Sequence, residues 1–143
     1  MNTPDTLVFI ATYNEIENIE ALLNELGQLD LSFDILVVDD NSTDGTKDVL
    51  QELTKTFPNL TVINRPRKLG IGTAHKYGLV YAKINNYSKL VTMDADFSHH
   101  PSDLPALLEA HGPNKVVTGS RYCEGGKSDY KGYRRWVSEM GNF

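Results

Sequence analysis

Short apolar runs alternate with helix-like stretches along most of this chain. Five apolar runs predict buried strands, and they cover Thr6–Thr12, Phe33–Val38, Leu60–Asn64, Lys89–Met93 and Lys115–Gly119. Between the first two runs, apolar residues recur at the spacing of one helical face, and they are Ile16, Ile19, Leu22, Leu23 and Leu26. Strands that alternate with helices in this way predict an α/β fold with a mainly parallel sheet.

Polar residues and glycines mark the ends of the predicted helices. Asn14 is a typical helix cap, Glu17 three residues later supports a start there, and Gly27 offers an end. The cap of the second helix is expected among the polar residues after the second strand: Asn41, Ser42 and Asp44. Two further helices are predicted, over Gly70–Lys83 and Pro101–Ala110.

Composition narrows the class of protein. The 143 residues fit a single domain, and 40% hydrophobic with 23% charged residues is ordinary for a globular chain. Cys123 is the only cysteine, which excludes an intrachain disulfide and a zinc site built from cysteines. No apolar run approaches the roughly 20 residues that cross a bilayer. The net charge of −5 excludes an overall basic nucleic-acid binder.

Charge is distributed unevenly between the two halves of the sequence. Residues 1–60 carry 12 acidic and 2 basic side chains, whereas residues 61–143 carry 7 acidic and 12 basic ones. This asymmetry favours an anionic ligand for the second half. The alternative is that the solvated faces of two halves of one sheet simply differ in charge.

Residues that follow the apolar runs are candidates for a ligand site, because open α/β sheets bind ligands at the carboxyl ends of their strands. The clearest candidate is Asp94-Ala95-Asp96 after the fourth run. Residues i and i+2 of an extended chain point the same way, so both carboxylates can face one cation such as Mg²⁺ or Mn²⁺. The alternative is a solvated turn or a helix cap.

Two other stretches carry candidate chemistry. Asp39 or Asp40, at the end of the second run, can hydrogen-bond to ribose hydroxyls. The stretch from Arg65 to Ala74 places two glycines and three cations before a predicted helix, which favours an anion site. A glycine turn with a solvated basic edge explains this stretch equally well. It lacks a dinucleotide fingerprint, because His75 occupies the third glycine position, and it lacks a P-loop.

The histidines and the last part of the chain give less specific signals. His99 and His100 are neighbours that rarely ligate one metal, so no zinc site is expected; His99 either borders a substrate or caps and packs near Pro101. No serine stands in a nucleophile elbow. Gly125-Gly126 suits a lid hinge. The basic and aromatic residues 130–136 suit phosphates or a membrane edge, or else form an amphipathic helix on the core.

Taken together, these motifs resemble those of the family 2 glycosyltransferases with a GT-A fold, and above all the dolichol-phosphate (polyprenol-phosphate) mannosyltransferases within that family. The matching stretches follow the family order over nearly the whole chain: ATYNEIENI, ILVVDDNSTDGT, NRPRKLGIGTAHKYGL, VTMDADFSHHP and VTGSRYCEGG. The resemblance implies a three-layer, Rossmann-like GT-A fold in a single catalytic domain over residues 1–143. Ala11 replaces a proline common in the family. Members usually continue well past the equivalent of Phe143, so the C-terminal part is expected to be missing.

The resemblance also implies roles for individual residues. The nucleotide-sugar donor is expected at eight positions: Thr12, Tyr13, Glu15, Asp39, Asp40, Lys68, Gly70 and Ala95. The expected catalytic residues are Asp94, Asp96, Arg121, which would bind a phosphate, and Arg134 (or Arg135, with Ser138), near the acceptor phosphate. The expected metal ligands are Asp94, Asp96 and Ser98, which stands where some members have glutamine.

The implied reaction moves mannose from GDP-mannose to a dolichyl or polyprenyl phosphate, with inversion at the anomeric carbon and with Mg²⁺ or Mn²⁺ as cofactor. A phosphate monoester has a second pKa of about 6, so the acceptor is mostly dianionic at neutral pH and needs no general base. The alternatives are a related transferase that uses UDP-glucose or another donor, and a nucleotide-sugar-binding domain without catalysis. The implied surroundings are the cytosolic face of a membrane, with peripheral membrane contact, a membrane subunit and no nucleic acid.

Overall fold

A computed structural model describes residues 4–120 of the chain. Its elements are β1 (Thr6–Thr12), α1 (Ile19–Gly27), β2 (Asp34–Asp39), α2 (Thr46–Thr56), β3 (Leu60–Asn64), α3 (Ile71–Ile84), β4 (Lys89–Asp94), a 3₁₀-helix (Pro101–Asp103) and α4 (Leu104–Ala110). The chain divides into two compact units, one that ends at Leu104 and one that begins at Pro105. The α/β fold predicted from the alternating runs is confirmed, and the single domain stays a prediction.

Within residues 4–120, four strands form one parallel sheet in the order β3-β2-β1-β4. The chain moves outward from β1 to β2 and β3, and α3 then leads back to β4 on the other side of β1. Because crossovers between parallel strands are right-handed, α1 and α2 are expected on one face of the sheet and α3 on the other. The strand order reverses between β1 and β4, which is the point where sheets of this kind bind ligands.

Both faces of the central strands are buried, which explains why these strands are continuously apolar. One cluster joins the sheet to α3, and it contains Leu7, Phe9, Leu36, Val38, Ala74 and Ala82. The helix approaches the sheet through small residues: a Cβ atom at Gly78 would lie 2.6 Å from the Phe9 ring. Glycine at this position therefore sets the distance between α3 and β1. The alternate residues of the strands, Val8, Ile10, Ile35 and Val37, are equally buried.

The first helix begins at Ile19, so the start predicted at Asn14 is wrong. Asn14 has a left-handed backbone with φ 58°, and its side chain accepts a hydrogen bond from the backbone N–H of Thr43 at 2.9 Å. The residue therefore connects two loops and does not cap α1. Four of the five predicted apolar residues are buried on α1, whereas Ile16 precedes the helix and is exposed.

The prediction of a fifth strand over residues 115–119 is also wrong. This stretch has no regular secondary structure up to residue 120, where the described part of the chain ends, and Val116 is 92% exposed. A strand requires hydrogen bonds to a neighbouring strand, which an apolar run alone does not provide. The helix predicted over Pro101–Ala110 is present as a 3₁₀ turn followed by α4. Among the described helices, none combines the length and the hydropathy needed to span a membrane.

Candidate functional site

The register of the parallel sheet brings the ends of several strands to one line, called here the carboxyl edge. Thr12 at the end of β1 pairs with Asp39 of β2, and Asp39 pairs in turn with Asn64 of β3. On the other side of β1, Ala11 pairs with Asp94 of β4. Residues predicted to act together from separate stretches of sequence therefore follow neighbouring strands at the same edge.

Asp39 is fully buried at this edge, and protein groups occupy both of its carboxylate oxygens. The Thr12 hydroxyl donates to Oδ2 at 3.2 Å, and the backbone N–H of Ser42 donates to Oδ1 at 2.9 Å. The Ser42 hydroxyl also donates to Oδ2. Asp39 thus joins the end of β1 to the loop after β2. Its predicted contact with a nucleoside stays a prediction.

Asp40 is the second buried carboxylate, and it accepts hydrogen bonds from the glycine turn before α3. The backbone N–H groups of Leu69 and Gly70 donate to its two oxygens, each at 2.7 Å. Burial would raise the pKa of Asp40, but these hydrogen bonds and the Arg65 guanidinium outweigh it, so the pKa lies below its ordinary value. The donors expected to bind an external anion at this turn are therefore engaged by the protein's own carboxylate.

Arg65 is a buried cation behind the same turn. Its Nη1 donates to the Thr73 hydroxyl at 2.6 Å and lies 3.4 Å from Asp40 Oδ1, and its Nη2 donates to the Gly70 carbonyl at 3.3 Å. The Nε atom is buried and has no hydrogen-bond partner in the described part of the chain. Of the three cations predicted here, Arg65 is buried and contacts other residues of the fold, whereas Arg67 and Lys68 are exposed.

Lys68 and Tyr13 form the exposed surface above these buried groups. The Lys68 Nζ atom lies 3.4 Å from the centroid of the Tyr13 ring, a cation–π contact. The Tyr13 side chain is 37% exposed. An aromatic face beside an ammonium group suits a ligand that has both an aromatic base and phosphates.

The loop after β1 is held by three further hydrogen bonds to residues that follow β2, and by one within the loop itself. The backbone N–H of Asn14 donates to the Ser42 hydroxyl at 2.8 Å, and that of Glu15 donates to the Thr46 hydroxyl at 3.0 Å. The N–H of Ile16 donates to Asp44 at 3.1 Å, and the Glu15 carboxylate accepts from the Asn18 amide at 3.0 Å. The predicted ligand residues 12–15 therefore stand on a fixed backbone.

Asp44 also serves the second helix, as one of the three predicted caps. Its Oδ1 accepts from the N–H of Thr46 at 3.0 Å and from the Thr46 hydroxyl at 2.6 Å, at the first residue of α2. Burial alone would raise the pKa of Asp44, but these bonds and the one from Ile16 lower it overall. The N-cap residue of α2 is Gly45, so none of the three predicted residues is the cap itself. Asp44, one position earlier, still accepts from the first helical N–H, whereas Ser42 contacts Asp39.

The Asp94-Ala95-Asp96 segment differs from these buried pairs because its carboxylates face solvent. Ala95 is buried, whereas the side chain of Asp94 is 46% exposed and Asp96 is exposed. A hydrogen bond from the Ser98 side chain, and another from its N–H, hold the pKa of Asp96 below the usual value. The strand ends at Asp94, and Ala95 and Asp96 lie in the turn that follows it, so the prediction that the two carboxylates point the same way stays a prediction.

A divalent cation fits this carboxylate pair if its other ligands come with the substrate. Residues 4–120 contain no group of three or more His, Cys, Asp or Glu side chains that could hold a metal. Mg²⁺ is commonly bound by one or two carboxylates together with substrate phosphates and water. Asp94 and Asp96 therefore suit a metal that binds together with a diphosphate. Ser98 already donates its N–H to Asp96 at 2.9 Å.

Several residues contribute to the site in ways that the sequence did not predict. They are Ser42 and Thr46, which hold the loops, and Phe97 and His99, which shape the turn after β4. The polar run after Asp40 is longer than one helix cap requires, and this length is a signal for the first two. Arg121, Arg134, Arg135 and Ser138 lie outside the described residues, as does the glycine pair 125–126.

Comparison with known proteins places the chain in a family. The family described as "Glycosyl transferase family 2" matches residues 7–143. The undecaprenyl-phosphate mannosyltransferase of Micrococcus luteus is 40% identical over 137 residues, which are 95% of this chain and 56% of that protein. The polyprenol monophosphomannose synthase of Mycolicibacterium smegmatis is 40% identical over 137 residues, 94% of this chain and 52% of that protein. The chain thus spans about half the length of these relatives.

Solved structures share the fold. A mannosyltransferase from Pyrobaculum calidifontis, in complex with GDP-Man and Mn²⁺, aligns with a TM-score of 0.56 and 28% identity over 67% of this chain and 28% of that chain. S. aureus TarS in complex with UDP aligns with a TM-score of 0.59 and 24% identity over 83% of this chain and 39% of that one. These neighbours confirm the predicted GT-A fold. Because the family match covers nearly the whole sequence, and because two relatives are 40% identical to it, the chain belongs to glycosyl transferase family 2.

Proposed function

We propose that this chain carries the donor-binding part of an enzyme that transfers mannose from GDP-mannose to a polyprenyl phosphate, with inversion at the anomeric carbon. The observation that carries the proposal is the solvent-facing Asp94 and Asp96 pair at the switch point of the sheet, next to the end of β1. Two relatives with 40% identity, named as an undecaprenyl-phosphate mannosyltransferase and a polyprenol monophosphomannose synthase, support the choice of sugar and acceptor class.

The leaving group of this reaction is GDP, so negative charge develops on its β-phosphate. A divalent cation, Mg²⁺ or Mn²⁺, supplies opposing positive charge when it is bound. Asp94 and Asp96 would hold that cation, and their exposure leaves their oxygens accessible to it. In this proposal Arg121 binds the diphosphate, and Arg134 binds the acceptor phosphate.

The donor nucleoside would lie along the carboxyl edge, on the two loops after β1 and β2. Tyr13 and Lys68 offer it an exposed ring and an ammonium group, and Thr12, Glu15, Gly70 and Ala95 complete the proposed donor-binding positions. Asp39 and Asp40 would contribute through the backbone that they fix, because protein donors already occupy their oxygens. The geometry of the donor site would then be set before the donor binds, which lowers the cost of binding.

The acceptor phosphate is its own nucleophile. It is mostly dianionic at neutral pH because its second pKa is about 6, so one of its oxygens attacks the anomeric carbon without a general base. A polyprenyl phosphate resides in a membrane, so the proposal includes peripheral contact of the protein with a membrane surface at its cytosolic face.

Calorimetry on the 143-residue chain tests the proposal, with GDP-mannose and UDP-glucose each titrated in Mn²⁺ and in EDTA. We expect GDP-mannose to bind in Mn²⁺, to bind more weakly in EDTA, and to bind more tightly than UDP-glucose. Asp96→Asn should weaken the Mn²⁺-dependent binding at least about tenfold, because it removes one of two charged ligands. Asp30→Asn, the same change at an exposed loop residue away from the carboxyl edge, is the matched control.

The remaining outcomes separate the alternatives. A preference for UDP-glucose would retain the fold and the metal site but assign a different donor. Tight binding of GDP-mannose in EDTA, unchanged by Asp96→Asn, would contradict the role of the carboxylate pair. Binding of the donor without transfer of mannose to a polyprenyl phosphate would favour a nucleotide-sugar-binding domain without catalysis.

A further inference from the structure

His99 contacts the first residue of the carboxylate pair from five positions later in the chain. Its Nδ1 accepts a hydrogen bond from the backbone N–H of Asp94 at 3.0 Å and lies 3.7 Å from Asp94 Oδ2. A ring nitrogen accepts only through a lone pair, so the ring proton of this neutral imidazole must be on Nε2. The contact thus fixes the tautomer of His99, and it also satisfies the backbone N–H of Asp94.

The turn that makes this contact has an unusual backbone. Phe97 has a φ of 60°, which is rare for a bulky side chain and persists only where surrounding interactions hold it. Two hydrogen bonds hold it here: the one from Ser98 N–H to Asp96 Oδ1 at 2.9 Å, and the one from Asp94 N–H to His99. The chain therefore turns back on itself, so that Ser98 fixes Asp96 and His99 fixes Asp94.

The same geometry argues against His99 as a metal ligand. Its Nδ1 lone pair is used by Asp94 N–H, and a protonated Nε2 has no lone pair to offer. Among residues 4–120, no group of three or more His, Cys, Asp or Glu side chains is arranged to hold a metal, so His99 does not complete a three-residue set with the two aspartates. A group that only orients a metal ligand still affects metal affinity, typically by 10- to 100-fold.

We infer that His99 is a positioning residue for the cation site: by accepting the backbone N–H of Asp94, it fixes the main chain that carries the Asp94 carboxylate. The inference rests on the proposed function, which assigns a divalent cation to these two aspartates. The nearest comparison within the turn is Ser98, which donates its N–H to the carboxylate of Asp96 itself, whereas His99 acts on the main chain of Asp94.

Three substitutions of His99 distinguish positioning from bulk and from ligation. The side-chain oxygen of Asn can take the place of Nδ1, whereas the amide of Gln reaches the place of Nε2, and Ala offers neither. With Mn²⁺ and GDP together as the probe, the electron paramagnetic resonance spectrum of Mn²⁺ bound to the full chain gives the affinity. We expect His99→Asn to retain affinity within about threefold, and His99→Gln and His99→Ala to lose about tenfold or more.

Two controls make the result interpretable. His111→Gln is the same change at a histidine outside the turn after β4, and it should leave the Mn²⁺ affinity unchanged. Circular dichroism of each variant checks that the chain is folded.

If Asp96→Asn abolishes Mn²⁺ binding while all three His99 variants bind like wild type, the positioning role is overturned and the proposed function stands. If the wild-type chain does not bind Mn²⁺, or if Asp96→Asn binds it as well as wild type does, both the positioning role and the proposed function are overturned. Equal losses for Asn, Gln and Ala would overturn the assignment of Nδ1 as the acting atom.

Discussion

Two pairs of aspartates follow two strands of the same sheet, and the protein treats them in opposite ways. Asp39 is the last residue of β2 and Asp40 follows it. They are 0% and 5% exposed, and backbone and hydroxyl donors occupy their oxygens. Asp94 and Asp96 flank the end of β4, and both are accessible to solvent. The first pair holds the loops of the carboxyl edge together, whereas the second pair has oxygens available for a ligand. Similar motifs in the sequence therefore have different roles, and the environment of each carboxylate decides which.

Substitution of Asp39 gives the largest expected effect and tests the structural half of this comparison. Asp39→Ala leaves the Ser42 N–H and the Thr12 hydroxyl buried without an acceptor, so we expect the free energy of unfolding to fall by about 3 kcal/mol. Asp39→Asn keeps one acceptor oxygen and should lose less. Asp94→Asn, the matched change in the exposed pair, should cost less than about 1 kcal/mol. Urea unfolding measures all three.

The comparison fails if Asp94→Asn destabilises the protein as much as Asp39→Asn does. In that case the exposed pair would also be part of the structural framework, and its availability for a cation would lose its main support. Circular dichroism at increasing urea concentration, with one slope for all variants, makes the free energies comparable.

Asp40 gives the next largest effect, and this effect depends on pH. We expect Asp40→Asn to lower the free energy of unfolding at pH 7 by about 2 kcal/mol, because it weakens charge-assisted hydrogen bonds from Leu69 and Gly70 and the ion pair with Arg65. The pKa of Asp40 is lowered in the folded state, so its contribution is fully present above the unfolded value of about 3.9. The contribution is lost as the pH falls through the lower, folded pKa, because the unfolded state takes up the proton first.

Urea titrations of wild type and Asp40→Asn between pH 7 and the acid limit of folding check this sign. The difference between the two proteins should be constant from pH 7 down to about pH 5 and should shrink below about pH 4. A difference that grows as the pH falls would mean that burial of Asp40, which raises its pKa, outweighs the hydrogen bonds that lower it.

The contrast between the pairs also explains what the sequence could predict. Apolar runs depend on neighbours within a few residues, and the bounds of β1 and β3 were predicted as they are observed, at Thr6–Thr12 and Leu60–Asn64. Asn14 has the local signature of a cap, but Ser42 and Thr43, about 28 residues later, engage it instead. The strand predicted over residues 115–119 has no partner strand within the described residues. Local patterns could not reveal either outcome, because both depend on contacts distant in sequence.

Within the site, the sequence located the carboxylates but not their environments. The run Asp39-Asp40 and the run Asp94-Ala95-Asp96 both read as ligand-binding acids after a buried strand. Only the three-dimensional structure shows that Asp40 accepts from a turn 29 residues later, or that the left-handed Phe97 brings His99 back to Asp94. Hydrogen-bond donors from another loop have no fixed spacing from the residue that they contact, so the sequence pattern does not predict them.

The smallest expected effect concerns Lys68 and Tyr13, which lie at the surface of the region whose interior Asp39 and Asp40 hold. Their cation–π contact should contribute about 0.5 kcal/mol, since exposed contacts of this kind are weak. A double-mutant cycle with Lys68→Met and Tyr13→Leu should give a coupling energy of that size in urea unfolding. The same cycle with Lys76→Met, at an exposed lysine of α3, should give none.

Titration of these lysine variants with GDP-mannose in Mn²⁺ then separates a structural lysine from a binding one. If Lys68 binds the donor as proposed, Lys68→Met weakens GDP-mannose binding by more than the small coupling energy accounts for, whereas Lys76→Met leaves it unchanged. If both variants bind alike, Lys68 serves only to cover the Tyr13 ring. The distinction between buried acids that build the edge and exposed groups that bind the ligand would then hold for the carboxylates alone and would not extend to the cations beside them.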